Sequence, residues 1–276
     1  MDTGIYDLKW GQDLAAKISK QLNTEIGRIR AEPPLIPVVL SPSRYEDVVQ
    51  SYRIAPPPGG AAAAIQPKSI SSKNSKLSPI KISSHFVVAQ HQFSDEALVA
   101  RLAIRCASDL AFAEDDIILN GDRANLRAKN IKDDSDTLDE QEGLLVAAPA
   151  AVAEGADVVG SILLALQELQ RRNHHGPYCV IVSPDLHREA LTPAGGSSTP
   201  RIDPILPQLR PRGFRWSQAA APRTGVAFSL GGGALDLPIL WDAHVECRKV
   251  EGDATFAVVQ QFRLRINDPT AVQPLS

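Results

Sequence analysis

The sequence of 276 residues contains only three cysteines, and no two of them form a Cys-x-x-Cys pair. Cys106, Cys179 and Cys247 lie far apart in apolar segments, which argues against a disulfide framework and against a thiolate zinc site. We therefore expect free thiols in a reducing compartment. The chain also lacks a signal-peptide-like N-terminal segment and an apolar run of about 18 residues, so the sequence predicts a cytoplasmic protein without a membrane-spanning segment.

A surplus of basic residues is absent as well. The chain has 29 lysines and arginines against 32 aspartates and glutamates, a net charge of -3. Domains that bind nucleic acid carry a basic surface, so this balance argues against nucleic acid as a partner. The hydrophobic fraction of 43% is typical of a globular protein, and the length permits a large core.

Recognisable catalytic motifs are missing too. The sequence has no Gly-x-Ser-x-Gly elbow and no His-Glu-x-x-His pair. Gly231–Gly233 precede a predicted strand, which argues against a phosphate-binding loop, and His174–His175 have no further ligands at metal-binding spacing. Glu114–Asp116 are consecutive on a predicted helix, where side chains diverge by about 100°, so we expect a solvated or ion-paired surface there. The sequence predicts no catalytic residue, no metal site and no cofactor site.

Apolar periodicity predicts three long helices. The first runs from Leu8 to Arg30, and its apolar stripe consists of Trp10, Leu14, Ile18, Leu22 and Ile26. The second runs from Asp95 to Leu119, about 37 Å, with Ser94 as its N-cap and Asn120–Gly121 as its stop. The third lies between Val152 and Arg172.

The segment from Arg53 to Pro79 differs from its surroundings in composition. It contains a proline–glycine run (PPPGG), a stretch of alanines and the polar sequence SISSKNSKLSP, with few large apolar side chains. Such a segment cannot form a core of its own. Long connections without secondary structure are unusual inside a domain, so this composition indicates a functional extended loop or a linker.

Alternating apolar residues towards the C-terminus predict a β-hairpin. Its strands run from Leu237 to Arg248 and from Phe256 to Ile266, with a turn at Glu251–Asp253. Arg263 and Arg265 occupy positions that alternate with the apolar set of the second strand.

Two segments resemble a known family. Residues His175–Leu191 (HGPYCVIVSPDLHREAL) form a predicted turn–strand–helix unit after an apolar helix. Residues Leu110–Gly121 (LAFAEDDIILNG) join an acidic cluster to an apolar triplet and a glycine. Together with the C-terminal hairpin and an N-x-P-x-A tail at Asn267–Ala271, they resemble the encapsulins, nanocompartment shell proteins of the linocin/encapsulin family that share the HK97 phage-capsid fold.

The resemblance implies an α+β fold of the HK97 capsid type, with a P-domain, an A-domain and an extended E-loop. The expected boundaries are an N-terminal helix or arm in 1–35, the E-loop region in 36–79, the P-domain with its spine helix in 80–140, the A-domain in 141–230, and C-terminal strands returning to the P-domain in 231–276.

The resemblance also implies a structural and non-enzymatic function, the self-assembly of a hollow icosahedral shell around a cargo enzyme. The expected partners are further copies of the chain and a cargo, either a dye-decolourising peroxidase or a ferritin-like protein, held through its C-terminal targeting peptide. No cofactor is expected, because flavin-carrying relatives stack the flavin on a Trp and His91 stands at the nearest equivalent position here.

Three sets of site residues follow from the same resemblance. The cargo-peptide groove is expected at Leu14, Ile18 and Leu22. The fivefold pore loop is expected at Gly195, Gly196, Ser197 and Ser198, and the E-loop contacts with a neighbouring subunit at Ile54, Ile65, Ile70 and Leu77.

Two other functions remain open at this point. A phage or prophage major capsid protein would have the same fold, and fold alone does not separate it from a nanocompartment shell. A soluble enzyme with an unrecognised site, for instance a peptidase, would instead be monomeric and would turn over a substrate.

Overall fold

The computed structural model describes residues 11–20, 22, 36, 38–40, 49–54, 70–92, 94–126, 131–135, 137–147, 152–193, 195 and 198–276. Its strands are β1 (Val38–Leu40), β2 (Val49–Ile54), β3 (Ile70–Leu77), β4 (Ile80–Val88), β5 (Ile131–Asp133), β6 (Tyr178–Val182), β7 (Leu209–Trp216), β8 (Gly225–Ser229), β9 (Leu235–Glu251), β10 (Asp253–Phe262), β11 (Arg265–Ile266) and β12 (Val272–Leu275). Its helices are α1 (residues 11–20, with residue 22 also helical), α2 (Glu96–Asn120), α3 (Leu144–Ala147), α4 (Val158–Arg171) and α5 (Pro184–Leu191).

The larger sheet has the strand order β1-β9-β10-β4-β5, with β11 also paired to β9. The predicted hairpin is confirmed as β9 and β10, which turn at Gly252, where φ is 76° and favours glycine. Strand β4 pairs antiparallel with β10. Alternate residues of these strands face one buried side, where the rings of Phe86 and Phe256 stack with centroids 5.4 Å apart.

Helix α2 packs over β4 and β10 and matches the predicted spine helix to within one residue at each end. Its N-cap is Asp95 and not Ser94: Asp95 Oδ1 accepts a hydrogen bond from the Leu98 amide at 3.0 Å. Its buried stripe consists of residues with helical spacing, among them Val99, Ala103, Cys106, Leu110, Ala113 and Ile117. The helix stops at Gly121 as predicted, with φ of 61°.

At the C-terminal end of α2, the backbone approaches the backbone of the segment before α3 very closely. A β-carbon placed on Gly121 would lie 2.4 Å from both the Gln141 carbonyl oxygen and the Gly143 nitrogen. The Asp122 amide donates to that same Gln141 oxygen at 2.9 Å. Two glycines therefore permit a close approach that any side chain would prevent.

The smaller sheet has the order β12-β8-β6-β7, with α4 and α5 packed against it. Tyr178, Val180 and Val182 of β6 face the helices, whereas Cys179 faces the core of the larger sheet together with Phe228 of β8. Strands that are covered on both faces are apolar throughout, which explains the unbroken run YCVIV.

The boundaries expected for 231–276 need one correction. Strands β9, β10 and β11 do lie in the larger sheet, but β12 pairs antiparallel with β8 at the edge of the smaller one. Its side chains, Val272 to Leu275, are all buried. A strand of four residues that is buried on both sides has no alternation, so the sequence pattern contained no sign of this exchange.

The N-terminal third contributes one strand to the larger sheet and also forms a separate hairpin. Strand β1 runs parallel to β9, so residues 38–40 belong to the larger sheet and not to an extended loop. Strands β2 and β3 form a separate two-stranded antiparallel sheet, in which Val49 pairs with Leu77 and Ile54 pairs with Ile70. We call this hairpin, residues 49–54 and 70–77, the arm.

Candidate functional site

A groove lies between helix α1 and strand β9. Gly11 allows the close approach of the two, because a β-carbon there would lie 2.5 Å from the Cys247 sulfur. Ser19 fixes the other end, since its Oγ accepts a hydrogen bond from the Val245 amide at 2.9 Å. Lys17 makes an ion pair with Glu96, the first residue of α2.

The residues predicted to line this groove lie elsewhere. Leu14, Ile18 and Leu22 are only 5%, 2% and 1% exposed and belong to the main core. Their spacing of four residues puts them on the face of α1 that packs against the sheet. Because these three side chains hold α1 to its own domain, they leave no surface for a ligand. Neighbouring residues line the groove instead.

The groove itself has a volume of about 500 Å³ and is lined by Gln12, Ala15, Ala16, Val245, Glu246, Cys247 and Arg248. Small apolar groups form its floor, while one amide and two charged side chains stand at its rim. This combination suits a short extended peptide with small apolar side chains and a charged residue at one end. Small residues beside an apolar stripe occur on many helices, so the sequence alone could not identify these residues as the lining of a groove.

Charged side chains of β9 and of residues 132–134, including Glu246 and Arg248 at the rim of the groove, form a network. Arg248 lies 2.8 Å from Glu246 and 3.7 Å from Asp134, and Lys132 lies 3.1 Å from Asp134. His244 Nε2 lies 3.1 Å from Glu246 Oε1, and its Nδ1 lies 3.0 Å from the Asp242 carbonyl oxygen. Both ring nitrogens thus face acceptors, which favours the doubly protonated imidazolium.

The contact between His244 and Glu246 should make the stability of the protein depend on pH. The hydrogen bond to Glu246 raises the pKa of His244 above its usual 6.5, although burial and Lys81 oppose the shift. The same bond lowers the pKa of Glu246. The His244 contribution is complete below about pH 6.5 and is lost as the pH rises through the raised pKa, whereas the Glu246 contribution requires a pH above about 4.5.

We therefore expect His244→Gln to destabilise the protein near pH 5.5 by up to about 1 kcal/mol and to have little effect near pH 8. Thermal unfolding of both proteins at the two pH values measures this. A difference that grows with rising pH would contradict the assignment. Lys249→Gln, a charge removal on the same strand, is the control.

The acidic run of α2 does not form one site. Glu114 accepts from Gln260 Nε2 at 3.0 Å, Asp115 from Ser217 Oγ at 3.3 Å, and Asp116 from Asn120 Nδ2 at 2.7 Å. The three carboxylates point in different directions, as predicted. Glu114 and Asp116 are nevertheless buried, so they are not solvated, and they anchor neighbouring segments through the hydrogen bonds above.

His174 is a buried anchor and not an exposed loop residue. Its Nε2 lies 2.8 Å from Thr270 Oγ1, and Thr270 donates to Asp268 Oδ1 at 2.5 Å. Because the threonine hydrogen goes to the carboxylate, Nε2 of His174 carries the proton that binds the threonine oxygen. The arrangement joins the end of α4 to the crossover before β12.

The predicted pore-loop residues lie where the chain connects α5 to β7. Pro193 and Pro200 form an isolated antiparallel bridge that closes a loop. Gly195 and Ser198 are exposed on that loop, whereas Gly196 and Ser197 lie outside the described residues. The arm residues Ile54 and Ile70 pair at one end of the arm and Leu77 lies at the other, while Ile65 lies outside the described residues.

Groups that could perform chemistry are sparse in the part of the chain that the structure describes. It brings no three His, Cys, Asp or Glu side chains together in a way that could hold a metal ion. Burial raises the pKa of the Cys179 thiol to about 11 and also raises the pKa values of Cys106 and Cys247, which makes all three poor nucleophiles near neutral pH. Of the described helices, none combines the length and the apolar character that crossing a bilayer requires.

Comparisons with known proteins agree with one another. A family model described as an encapsulating protein for peroxidase (Linocin_M18) matches residues 88–261, more than half of the chain. A solved virus-like particle from Pyrococcus furiosus is similar over 95% of this chain and 98% of its own, with 14% identity and a TM-score of 0.67.

Phage capsids show the same likeness. The capsid of Myoviridae Phage XM1 matches over 87% of this chain and 89% of its own, with 12% identity and a TM-score of 0.56. A structure from Mycobacterium phage Che8 matches over 84% and 85%, with 16% identity and a TM-score of 0.52. At sequence identities this low, the structural similarity establishes the fold alone. It confirms the predicted α+β fold of the HK97 capsid type.

Proposed function

Since this chain belongs to the Linocin_M18 family of encapsulating proteins, and is a shell protein of the encapsulin type, we propose that its copies form a hollow icosahedral nanocompartment that encloses a peroxidase. The family match over residues 88–261 carries the proposal. In this function the chain itself catalyses nothing, and the compartment lies in the cytoplasm. A ferritin-like protein is the second class of cargo.

Electron microscopy of the purified protein, followed by mass spectrometry of everything that copurifies, tests this function. Uniform hollow particles that contain a haem peroxidase are the expected result. Particles filled with nucleic acid would favour the phage-capsid function, which the likeness to phage structures leaves open because they share the fold. A monomer that turns over a substrate would contradict both.

The α1–β9 groove is the proposed cargo site. Its apolar floor and charged rim suit a peptide at the C-terminus of the cargo, and its position at Gln12, Ala15 and Ala16 agrees with the expected location beside the N-terminal helix. The buried stripe of α1 supports this role indirectly, because it keeps the wall of the groove fixed.

Filling the groove should therefore remove the cargo without removing the shell. Ala16 is exposed and lines the groove, so Ala16→Trp places a large ring in the peptide's space with no loss of core packing. We expect copurified cargo to fall at least roughly tenfold, the effect of losing about 1.4 kcal/mol of binding. Quantitative mass spectrometry of purified particles measures the ratio.

Asp13→Trp is the matched control, because Asp13 is exposed on the same helix and does not line the groove. Equal cargo loss in both variants would indicate a general effect of tryptophan on α1. Full cargo in Ala16→Trp shells would refute the groove as the docking site.

The two remaining surfaces are proposed to act in assembly and transport. We assign the loop closed by Pro193 and Pro200, with Gly195 and Ser198 exposed on it, to the rim of the fivefold pore. The arm is assigned to contacts with a neighbouring subunit, for which its separation from the two larger sheets is the supporting observation.

A further inference from the structure

Two residues join strand β3 of the arm to the larger sheet. Strand β3 ends at Leu77 and strand β4 begins at Ile80, so Ser78 and Pro79 form the connection on the β3 side of the arm. The backbone angles of these two residues set the direction in which β3 leaves the sheet. Pro79 contributes a fixed φ, and the carbonyl groups of both residues are held by the body.

Arg263 holds the first carbonyl. Its guanidinium donates to the Ser78 oxygen at 2.9 Å, to the Glu140 oxygen at 2.5 Å and to the Thr137 oxygen at 3.4 Å. The side chain is 1% exposed and is the largest among the fully buried ones of the described residues. A buried cation that is bound by one carbonyl of the joint and by two carbonyls of the 137–140 turn fixes these two segments relative to each other.

Thr137 holds the second carbonyl. Its Oγ1 donates to the Pro79 oxygen at 3.1 Å. The next residues are held in the same way, because Ser135 Oγ accepts from the Lys81 amide at 3.1 Å and the Asp134 amide donates to the Lys81 oxygen at 2.8 Å. Asp133 in turn organises this loop, since its carboxylate accepts from the Ser135 amide at 2.9 Å and from the Leu138 amide at 3.3 Å.

A small change at this joint has a large effect at the far end of the arm. The eight residues of β3 span about 26 Å, so a tilt of roughly 10° at Ser78 displaces the far end by about 4–5 Å. Contacts that repeat around a closed shell depend on the rotation between neighbours, and a wrong rotation gives a different size or an open assembly. The joint is thus where arm direction and shell curvature are coupled.

We propose that Arg263 and Thr137 form a clamp that sets the angle between the arm and the body, and thereby the diameter of the shell. Both are positioning residues: neither contacts a neighbouring subunit in this role, and each acts through the carbonyl that it holds. The inference rests on the proposed function of the arm as an intersubunit contact.

Two substitutions weaken the clamp without creating a large cavity in the core. Thr137→Val keeps the volume and removes the hydroxyl that binds Pro79, and Arg263→Lys keeps the charge but cannot bind three carbonyls in a fork. We expect the fraction of particles with the wild-type diameter to fall roughly tenfold in the double variant and less in each single variant, as loss of a hydrogen bond to a charged group predicts. Particle diameters from electron micrographs are the readout.

Arg265→Lys is the matched control, because Arg265 lies two residues away in the sequence and pairs with Asp236 at 2.5 Å instead of with the joint. The unfolding midpoint of each variant is measured alongside. A purely structural clamp would lower the midpoint and leave the diameter unchanged, and that outcome would overturn the proposal. The same diameter change in Arg265→Lys would also overturn it.

A variant without the arm separates this inference from the proposal on which it rests. If shells of normal diameter form without the arm, the arm is not an intersubunit contact and the proposed function of the arm fails. If the arm is required but the clamp variants give uniform wild-type particles, only the clamp fails.

Discussion

Replacement of residues 50–76 by a short turn should abolish closed shells while both larger sheets remain folded. Val49 and Leu77 are cross-strand partners, so their α-carbons lie about 5 Å apart and two to four residues can bridge them. The arm forms its own two-stranded sheet, so its removal takes no ladder hydrogen bonds from the body. In a shell, every subunit loses the same contact, and the effect accumulates over all copies.

Size-exclusion chromatography and electron microscopy check this result. We expect small oligomers with the circular dichroism spectrum of a folded subunit and no closed particles. Asp13→Trp, which changes an exposed side chain outside both the arm and the loop closed by Pro193 and Pro200, is the control. Closed particles from the arm variant would show that the arm is dispensable.

The second large effect is expected at Gly121. Gly121→Ala places a β-carbon 2.4 Å from the Gln141 oxygen and the Gly143 nitrogen, at a φ of 61°. With ψ of −128°, this positive-φ conformation costs a non-glycine residue about 1–3 kcal/mol, and the overpacking costs about 1–3 kcal/mol more. We therefore expect a loss of about 2–6 kcal/mol in the free energy of unfolding.

Gly252→Ala separates these two causes. Gly252 has a φ of 76°, but no atom lies within 4 Å of the position that a β-carbon would occupy there. It should lose only the conformational part, about 1–2 kcal/mol. Guanidinium denaturation at one protein concentration measures both variants, and equal losses would show that the backbone contact between Gly121 and Gly143 contributes little.

Local patterns were sufficient to predict the parts of the fold whose periodicity is long. Helix α2 has 25 residues with one apolar stripe and a glycine stop, so its type and limits follow from the sequence. The alternation in β9 and β10 predicted two paired strands, but β10 ends at Phe262, and Arg265–Ile266 form the separate strand β11. The choice of Asp95 over Ser94 as N-cap depends on a single hydrogen bond, which no pattern reveals.

Properties that depend on the packing of distant segments were not accessible. Arg263 alternates with apolar residues in the sequence, yet it is buried because loops near positions 78, 137 and 140 surround it. Leu14, Ile18 and Leu22 have the spacing of an apolar face, which describes a core stripe and a binding groove equally well. Glu114 and Asp116 look like surface acids until Gln260 and Asn120 are brought next to them.

The crossover of β12 has a consequence for synthesis in the cell. The smaller sheet contains three strands within residues 178–229, but its edge strand is residues 272–275, which the ribosome makes about 40 residues after β8. At about 5–20 residues per second, the nascent chain therefore spends several seconds with β8 lacking its partner and Phe228 incompletely covered. The smaller sheet of each subunit is therefore complete only after translation has passed β12, later than the helices and strands that surround it.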